Sequence, residues 1–249
     1  MSAKLIFGIH AVTGRIKRQR ASVQAVLFDA SRKDVRMETL LALARNVGVK
    51  IRAVNAQELE ALVGGEARHQ GVVAQVQPIA LGHSLDDVLD TQESTGEPPL
   101  VLVLDGVTDP HNLGACLRAA DGAGVHALVA PKDRSVGLSA VAIKVASGAA
   151  DVVPFITVTN LARSLREMQE RDIWVVGTAG EATESIHAPG LNRALAIVMG
   201  AEGEGLRYLT RETCDELRKI PLRGSVESLN VAVSAGICLF EARRQRAVA

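Results

Sequence analysis

Aromatic side chains are nearly missing from this chain of 249 residues: four Phe, one Trp and one Tyr, 2% of the total. So few rings exclude an extended platform on which nucleobases could stack one after another. Cysteine is scarce as well. Cys116, Cys214 and Cys238 are odd in number and far apart, which excludes a disulfide framework and any CxxC metal or redox site. No stretch reaches 18 uninterrupted apolar residues, and the N-terminus MSAKLIFGIHAV lacks a long apolar core followed by a small-residue cleavage site. Export and membrane insertion are therefore not expected, and a reducing cytoplasm is the expected compartment. GxxxxGK[ST] is absent, which removes the usual nucleoside-triphosphatase reading. No His/Cys/Asp set stands at ligand spacing, so no metal is expected. Internal repeats and low-complexity tracts are missing too.

Net charge is a further absence, and a misleading one. The chain carries 28 Lys+Arg against 28 Asp+Glu, a balance that argues on its face against a polyanionic partner. Divided along the chain, it separates into unequal parts. Residues 1–78 hold 12 basic and 6 acidic residues, a surplus of +6. Residues 79–99 hold five acids (Asp86, Asp87, Asp90, Glu93, Glu97) and no Lys or Arg, and residues 100–249 hold 16 basic and 17 acidic residues. A basic head, an acidic connector and a near-neutral body follow.

At roughly 150 residues per domain the length allows one or two domains. In the head, VQAVLF (Val23 to Phe28), VKIRAV (Val49 to Val54) and VVAQV (Val72 to Val76) read as strands. Helical spacing of Met37, Leu40, Leu41 and Ala44 predicts a helix over 35–46, and Leu59 with Leu62 predicts another. Gly82 to Pro99 reads as a linker with one short helix at Leu85 to Leu89. The body opens on LVLVL (Leu100 to Leu104), an apolar run of the kind that parallel strands buried on both faces display. Further strands are expected at 126–130, 152–158, 173–178 and 194–200, alternating with helices near 113–122, 140–146 and 161–169. This alternation predicts a doubly wound α/β domain, closed by a C-terminal helix with a basic tip at Arg243, Arg244 and Arg246.

Three body segments lie just after predicted strands, where open α/β sheets place their ligands. In DGVTDPHNLGACLRAAD (105–121), Asp109-Pro110 and Asn112 can start a helix, and Arg118 follows on a nearby face. His111 reads as a cap of that turn rather than an acid or base. In GAEGEGL (200–206) the glycines are spaced GxxGxG, not the dinucleotide GxGxxG, and Glu202 with Glu204 suits a cationic or neutral ligand better than a phosphate. IPLRGSVESLNVAVSAG (220–236) combines the polar Ser225, Ser228 and Asn230 with an apolar wall of Ile220, Leu222 and Leu229, a mixture suited to an adenine-bearing ligand. Ser228 also reads as a helix N-cap.

DGVTDPHNLGACLRAADGAGV, IVMGAEGEGL and IPLRGSVESLNVAVSAGICLFEA resemble, in order and spacing, the three motifs of the SPOUT superfamily of RNA methyltransferases, in its ribose 2′-O-methyltransferase branch. FGIHAV (7–12) and HQGVVA (69–74) resemble the N-terminal RNA-binding domain of the bacterial 23S ribosomal RNA guanosine 2′-O-methyltransferases. The resemblance implies a small N-terminal α/β RNA-binding domain (1–78), a linker (79–99) and a C-terminal α/β trefoil-knot methyltransferase domain (100–249) with a mostly parallel sheet. It implies S-adenosylmethionine as methyl donor, without metal, and a homodimer whose subunits complete each other's sites. Donor contacts fall on Gly200, Ile220 and Leu229, largely through backbone groups, with Gly203, Gly205 and Leu222 in the same wall.

The resemblance assigns catalysis to Asn112, Arg118, Glu202, Ser228 and Asn230. Arg118 is its candidate for activating the 2′-hydroxyl, Asn112 and Asn230 for orienting ribose and Arg118, Ser228 for supporting the loop and Glu202 for positioning Asn112 or the arginine. A guanidinium stays protonated in proteins, so stabilisation of a developing alkoxide accounts for Arg118 as well as a literal base does. In the head, Arg15, Lys17, Arg18 and Arg20 suit phosphate contacts, and His10 and His69 are weaker RNA-contact candidates. Recognition is expected through shape, backbone and 2′-hydroxyl contacts. A transfer RNA 2′-O-methyltransferase is the alternative within this class. A nucleotide-dependent oxidoreductase and a non-catalytic RNA-binding protein are the readings outside it.

Overall fold

The computed structural model describes residues 4–64, 69–77 and 84–248, with the side chains of Lys4, His10, Arg18 and Gln19 outside the description. The roles considered for His10 and Arg18 therefore lie outside the described residues. The chain forms two compact units, residues 1–80 and 81–249.

The first unit is a four-stranded mixed sheet, built from β1 (Lys4–Phe7), β2 (Val23–Asp29), β3 (Lys50–Val54) and β4 (Val72–Val76) in the order β1-β4-β2-β3. β4 runs antiparallel to both neighbours, whereas β2 and β3 are parallel. Alternation along the strands assigns the two faces. Val26, Val72, Ala74 and Val76 pack with Ile9, Val12 and Ile16 of α1 (Ile9–Gln19) and with Met37, Leu40 and Ala44 of α2 (Val35–Asn46). Leu27, Val54 and Val73 face the other way, onto Leu59 of α3 (Ala56–Val63). Strand β1 and helix α1 go beyond what the apolar patterning predicts. They also join the two head segments that carry the resemblance: Phe7 pairs with Val73, and the Gln70 side chain accepts the Ile9 N–H at 3.1 Å.

The basic run on α1 is not the solvated phosphate-binding face that its composition suggests. Arg15 is buried and donates to Ser22 Oγ at 2.8 Å and to the Gln77 carbonyl at 2.7 Å. Arg20 donates to the carbonyls of Val47 and Gly48 at the end of α2, where the helix dipole favours a cation. Of the described side chains in the run, this leaves Lys17 exposed and uncommitted.

The second unit is a seven-stranded, wholly parallel sheet in the order β7-β6-β5-β10-β8-β11-β9. Its strands are β5 (Leu100–Asp105), β6 (Ala127–Pro131), β7 (Phe155–Val158), β8 (Trp174–Thr178), β9 (Glu184–Ser185), β10 (Leu195–Gly200) and β11 (Glu216–Lys219). Leu100, Leu102, Leu104 and Ile197 face one core with α5 (Pro110–Ala123), α6 (Ala140–Ala146) and α9 (Val231–Val248). Val101, Val103, Ala196 and Val198 face a second core with α4 (Leu85–Thr95) and α7 (Leu161–Gln169). Burial on both faces is why these strands read as unbroken apolar runs. A short α8 (Tyr208–Thr213) follows the glycine-rich turn.

The stretch read as a linker is more structured than expected where it is described; its residues 79–83 lie outside the described residues. Ser84 and Asp87 form a capping box at the start of α4, and Leu85, Val88 and Leu89 bury one face of it. Its acids are met by Arg171 beyond α7, at 3.4 Å from Asp86, 2.7 Å from Asp90 and 3.2 Å from Glu93. At the C-terminus, Arg243 and Arg246 do more than complement their own helix. They donate to the carbonyls of Gly124 (2.7 Å), Pro98 and Pro99 (both 2.8 Å), tying α9 to the end of α5 and the start of β5.

Candidate functional site

In a parallel sheet every strand delivers its following loop to the same edge, and loops gather where the strand order reverses. β10 lies between β5 and β8, and the loops after β5, β10 and β11 meet there. The meeting point is a cleft of about 400 Å³, within the range of small-molecule sites.

Each loop has a local reason for its shape. Asp109 caps α5 by accepting the His111 N–H at 3.0 Å, with Pro110 in the first turn, so the cap expected of His111 belongs to Asp109. In the second loop Ala201 and Gly205 exchange backbone hydrogen bonds of 3.1 and 3.0 Å, and Gly203 and Gly205 have φ of 83° and 70°, where glycine is the natural residue. A Cβ on Gly200 would fall 2.2 Å from the Gly205 carbonyl carbon, so only glycine allows the turn to fold onto its own strand. In the third loop Asn230 Oδ1 accepts from the N–H groups of Ala232 (3.0 Å) and Val233 (3.4 Å), which makes Asn230 the cap of α9 and not Ser228. The helix begins at Val231, two residues later than a Ser228 cap requires.

The three loops are joined by one carboxylate. Glu202 Oε1 accepts from Asn112 Nδ2 at 3.2 Å, from Asn230 Nδ2 at 3.0 Å and from the Val231 N–H at 3.3 Å, and Asn230 Nδ2 also reaches Asn112 Oδ1 at 2.8 Å. Glu202 thus sits at the positive end of α9, a favourable place for an anion. Below it, burial and then the Glu202 charge push the Cys116 thiol up to about 12, so this buried sulfur is no nucleophile near neutral pH.

Gly200, Gly205, Ile220, Leu222, Leu229, Glu202 and Ser228 line the cleft, while Asn112 and Asn230 enter through their bonds to Glu202. Arg118 is not brought to this cluster. It lies six residues beyond Asn112, roughly 120° around α5, and is exposed with no hydrogen-bond or ion-pair partner among the described residues. A fourth contributor is not singled out in the sequence: Thr178 at the end of β8, with residues 179–181 after it, lines the cleft together with Arg211. Thr178 donates to the Val198 carbonyl at 3.0 Å, and Glu181 pairs with Arg211. A signal for it exists, because IWVVGT reads as a strand, and in a parallel sheet the loop after it reaches the same edge as the other three. Among the described residues no group of three or more His, Cys, Asp or Glu could hold a metal ion.

The family model described as the SpoU rRNA Methylase family matches residues 99–240, and one described as RNA 2′-O ribose methyltransferase substrate binding matches residues 5–81. A 23S rRNA (guanosine-2′-O-)-methyltransferase RlmB from Ralstonia nicotianae is 55% identical over 99% of this chain and 97% of its own length. The RlmB of Bordetella pertussis is 54% identical over 98% of both. The crystal structure of the SpoU methyltransferase AviRb from Streptomyces viridochromogenes in complex with the cofactor AdoMet superposes with a TM-score of 0.65 at 25% identity, covering 99% of this chain and 91% of that one.

Proposed function

Because the chain belongs to the SpoU rRNA methylase family, we propose that it transfers a methyl group from S-adenosylmethionine to the ribose 2′-hydroxyl of a guanosine in 23S ribosomal RNA. The observation that carries the reading is the Glu202 carboxylate joining Asn112 and Asn230 beside the cleft. S-adenosylmethionine supplies an electrophilic methyl on a cationic sulfur. The residues present suit it: a glycine turn with open backbone at Gly203 and Gly205, an apolar wall of Ile220, Leu222 and Leu229, and the carboxylates of Glu202 and Glu204 to face positive charge. The trefoil-knotted path that the resemblance implies is part of this reading.

In-line displacement requires the 2′-hydroxyl to be held on the axis of the breaking bond. Asn112 and Asn230, fixed by Glu202, orient the ribose, and Ser228 supports their loop. Arg118 places the adjoining phosphate and stabilises the alkoxide as it develops, while the proton leaves to solvent or phosphate. Since Arg118 stands away from its own subunit's cluster, the reading includes a homodimer in which a second copy presents its Arg118. Exposed Val141 and Ile143 on α6 and Val233 and Phe240 on α9 are apolar surface that a second copy would cover. The basic surplus of the head, with Lys17, Lys33, Arg36, Lys50 and Arg52 exposed, suits the RNA backbone. A cytoplasmic location fits three free thiols and ribosomal RNA as partner. Among the described residues no helix is long and apolar enough to cross a membrane.

The transfer RNA alternative yields to ribosomal RNA because relatives named for 23S rRNA match along nearly the whole chain, head included. Incubation with labelled donor and unmodified 23S RNA is expected to place label on a guanosine 2′-oxygen and to leave transfer RNA unlabelled. Label on a base, or on transfer RNA alone, would contradict the reading.

A further inference from the structure

The six residues after Gly200 form the donor turn, yet the residue that grips both of its ends is not in the cleft. Asp105, the last residue of β5, pairs in register with Gly200, where the turn begins. Its carboxylate accepts the Arg207 backbone N–H at 2.9 Å and the Arg207 Nε–H at 2.5 Å, where the turn ends, and the terminal guanidinium nitrogen makes a further ion pair with it. Asp105 is fully buried, whereas Arg207 is 37% exposed. Burying a carboxylate away from water is costly without compensating donors, and here Arg207, 102 residues along the chain, supplies them from both its backbone and its side chain.

Resting on the reading of the cleft as the donor site, we propose that Asp105 and Arg207 are positioning residues for methyl transfer: a buried clasp that fixes the width and pitch of the Gly200–Leu206 turn without touching the donor. The turn has only two internal hydrogen bonds, between Ala201 and Gly205, and its glycines hold no shape by themselves. Fixing both ends converts a flexible loop into a preformed surface, so binding does not have to order it.

Donor affinity measured by calorimetry with S-adenosylmethionine, below the unfolding temperature of every variant, tests the clasp. Wild type is expected to bind. Asp105→Asn should weaken the Kd by roughly 10- to 100-fold, the order seen when an outer partner that orients a binding group is lost. Arg207→Lys, which keeps the charge beside Asp105 but loses the fork, should fall between the two and carries the test if Asp105→Asn does not fold. The donor KM should rise in both while the RNA KM stays at its wild-type value, a split that general loss of stability does not produce. Glu241→Gln removes a different ion pair, made by a buried carboxylate of α9 ten residues beyond Val231 with the exposed Arg244, and should lower the melting temperature with donor Kd unchanged. Wild-type donor affinity in a folded Asp105→Asn or Arg207→Lys protein overturns the clasp, as does an equal loss in Glu241→Gln. A wild-type chain that binds no donor overturns the cleft reading itself, and the clasp with it.

Discussion

The two units of this chain each cover both faces of a β-sheet with helices, and they put that arrangement to different use. In the body all seven strands are parallel, so their carboxyl ends share one edge and the loops that follow converge on a single cleft. In the head, β1, β2 and β3 share one direction and β4 runs against both its neighbours, so the loops after the first three strands leave from one edge and the chain leaves β4 from the other. Its helices and strands bury a core and leave lysines and arginines outside. The placement of polar side chains, more than strand direction, thus separates a unit that gathers them into one cleft from a unit that turns its cations outward, where a polyanion can meet them.

The sharpest way to test that separation is to disable the body and leave the head intact. Arg118→Ala is expected to lower kcat by about 10²- to 10³-fold, the cost of losing a group that stabilises developing charge, with RNA affinity from filter binding near wild type. A large loss of RNA affinity with unchanged kcat would move Arg118 from the chemistry to substrate binding. The head divides its arginines by burial. Arg15→Ala removes a buried guanidinium that serves Ser22 and the Gln77 carbonyl, and it should cost about 1.5 to 3 kcal/mol in urea unfolding of the head. Lys33→Ala combined with Arg36→Ala should leave unfolding unchanged and reduce the slope of log affinity against log salt by up to about 0.7 to 0.9 for each phosphate no longer neutralised. Reversal of those two results would mean that the buried arginine, not the exposed bases, meets the RNA.

The smallest effect concerns acid. The Arg244 hydrogen bond, with Gln245 and His187 assisting, lowers the Glu241 carboxyl to about 2 from its ordinary 4.5. A depressed folded value stabilises the protein above the unfolded value, so this contribution is complete above about pH 4.5 and lost as pH falls toward about 2. Unfolding measured across that window should fall less steeply in Glu241→Gln than in wild type.

How far these features are readable in the sequence depends on whether apolar spacing carries them. β5, β10 and α2 are visible because burial imposes apolar runs or helical stripes on them. β11 is invisible: ELRK shows no apolar alternation, because its buried side chain is Arg218, satisfied by Glu216 and the Ala188 and Pro189 carbonyls. α1 is masked by its charges, which obscure the stripe of Ile9, Val12 and Ile16 beside them. At the site, the resemblance points to Asn112, Glu202 and Asn230 and offers Asn112 as one residue that Glu202 positions, whereas the bonds of Asn230 to Glu202 and Asn112 depend on strand order and leave no mark in the sequence. Ser228 reads as the cap of α9 because serine and asparagine are equally good caps, and only the helix start decides between them. The Asp105–Arg207 pair spans 102 residues and leaves no local trace.

By its family and its relatives, this chain methylates a guanosine ribose in 23S ribosomal RNA. Mapping 2′-O-methylation across ribosomal RNA from cells lacking the chain, and from the same cells carrying the wild-type or Arg118→Ala form, checks that activity in place. One 23S guanosine is expected to lose its methyl group in the absence of the chain, to regain it with the wild type and to remain unmodified with Arg118→Ala. An unchanged 23S map would contradict it.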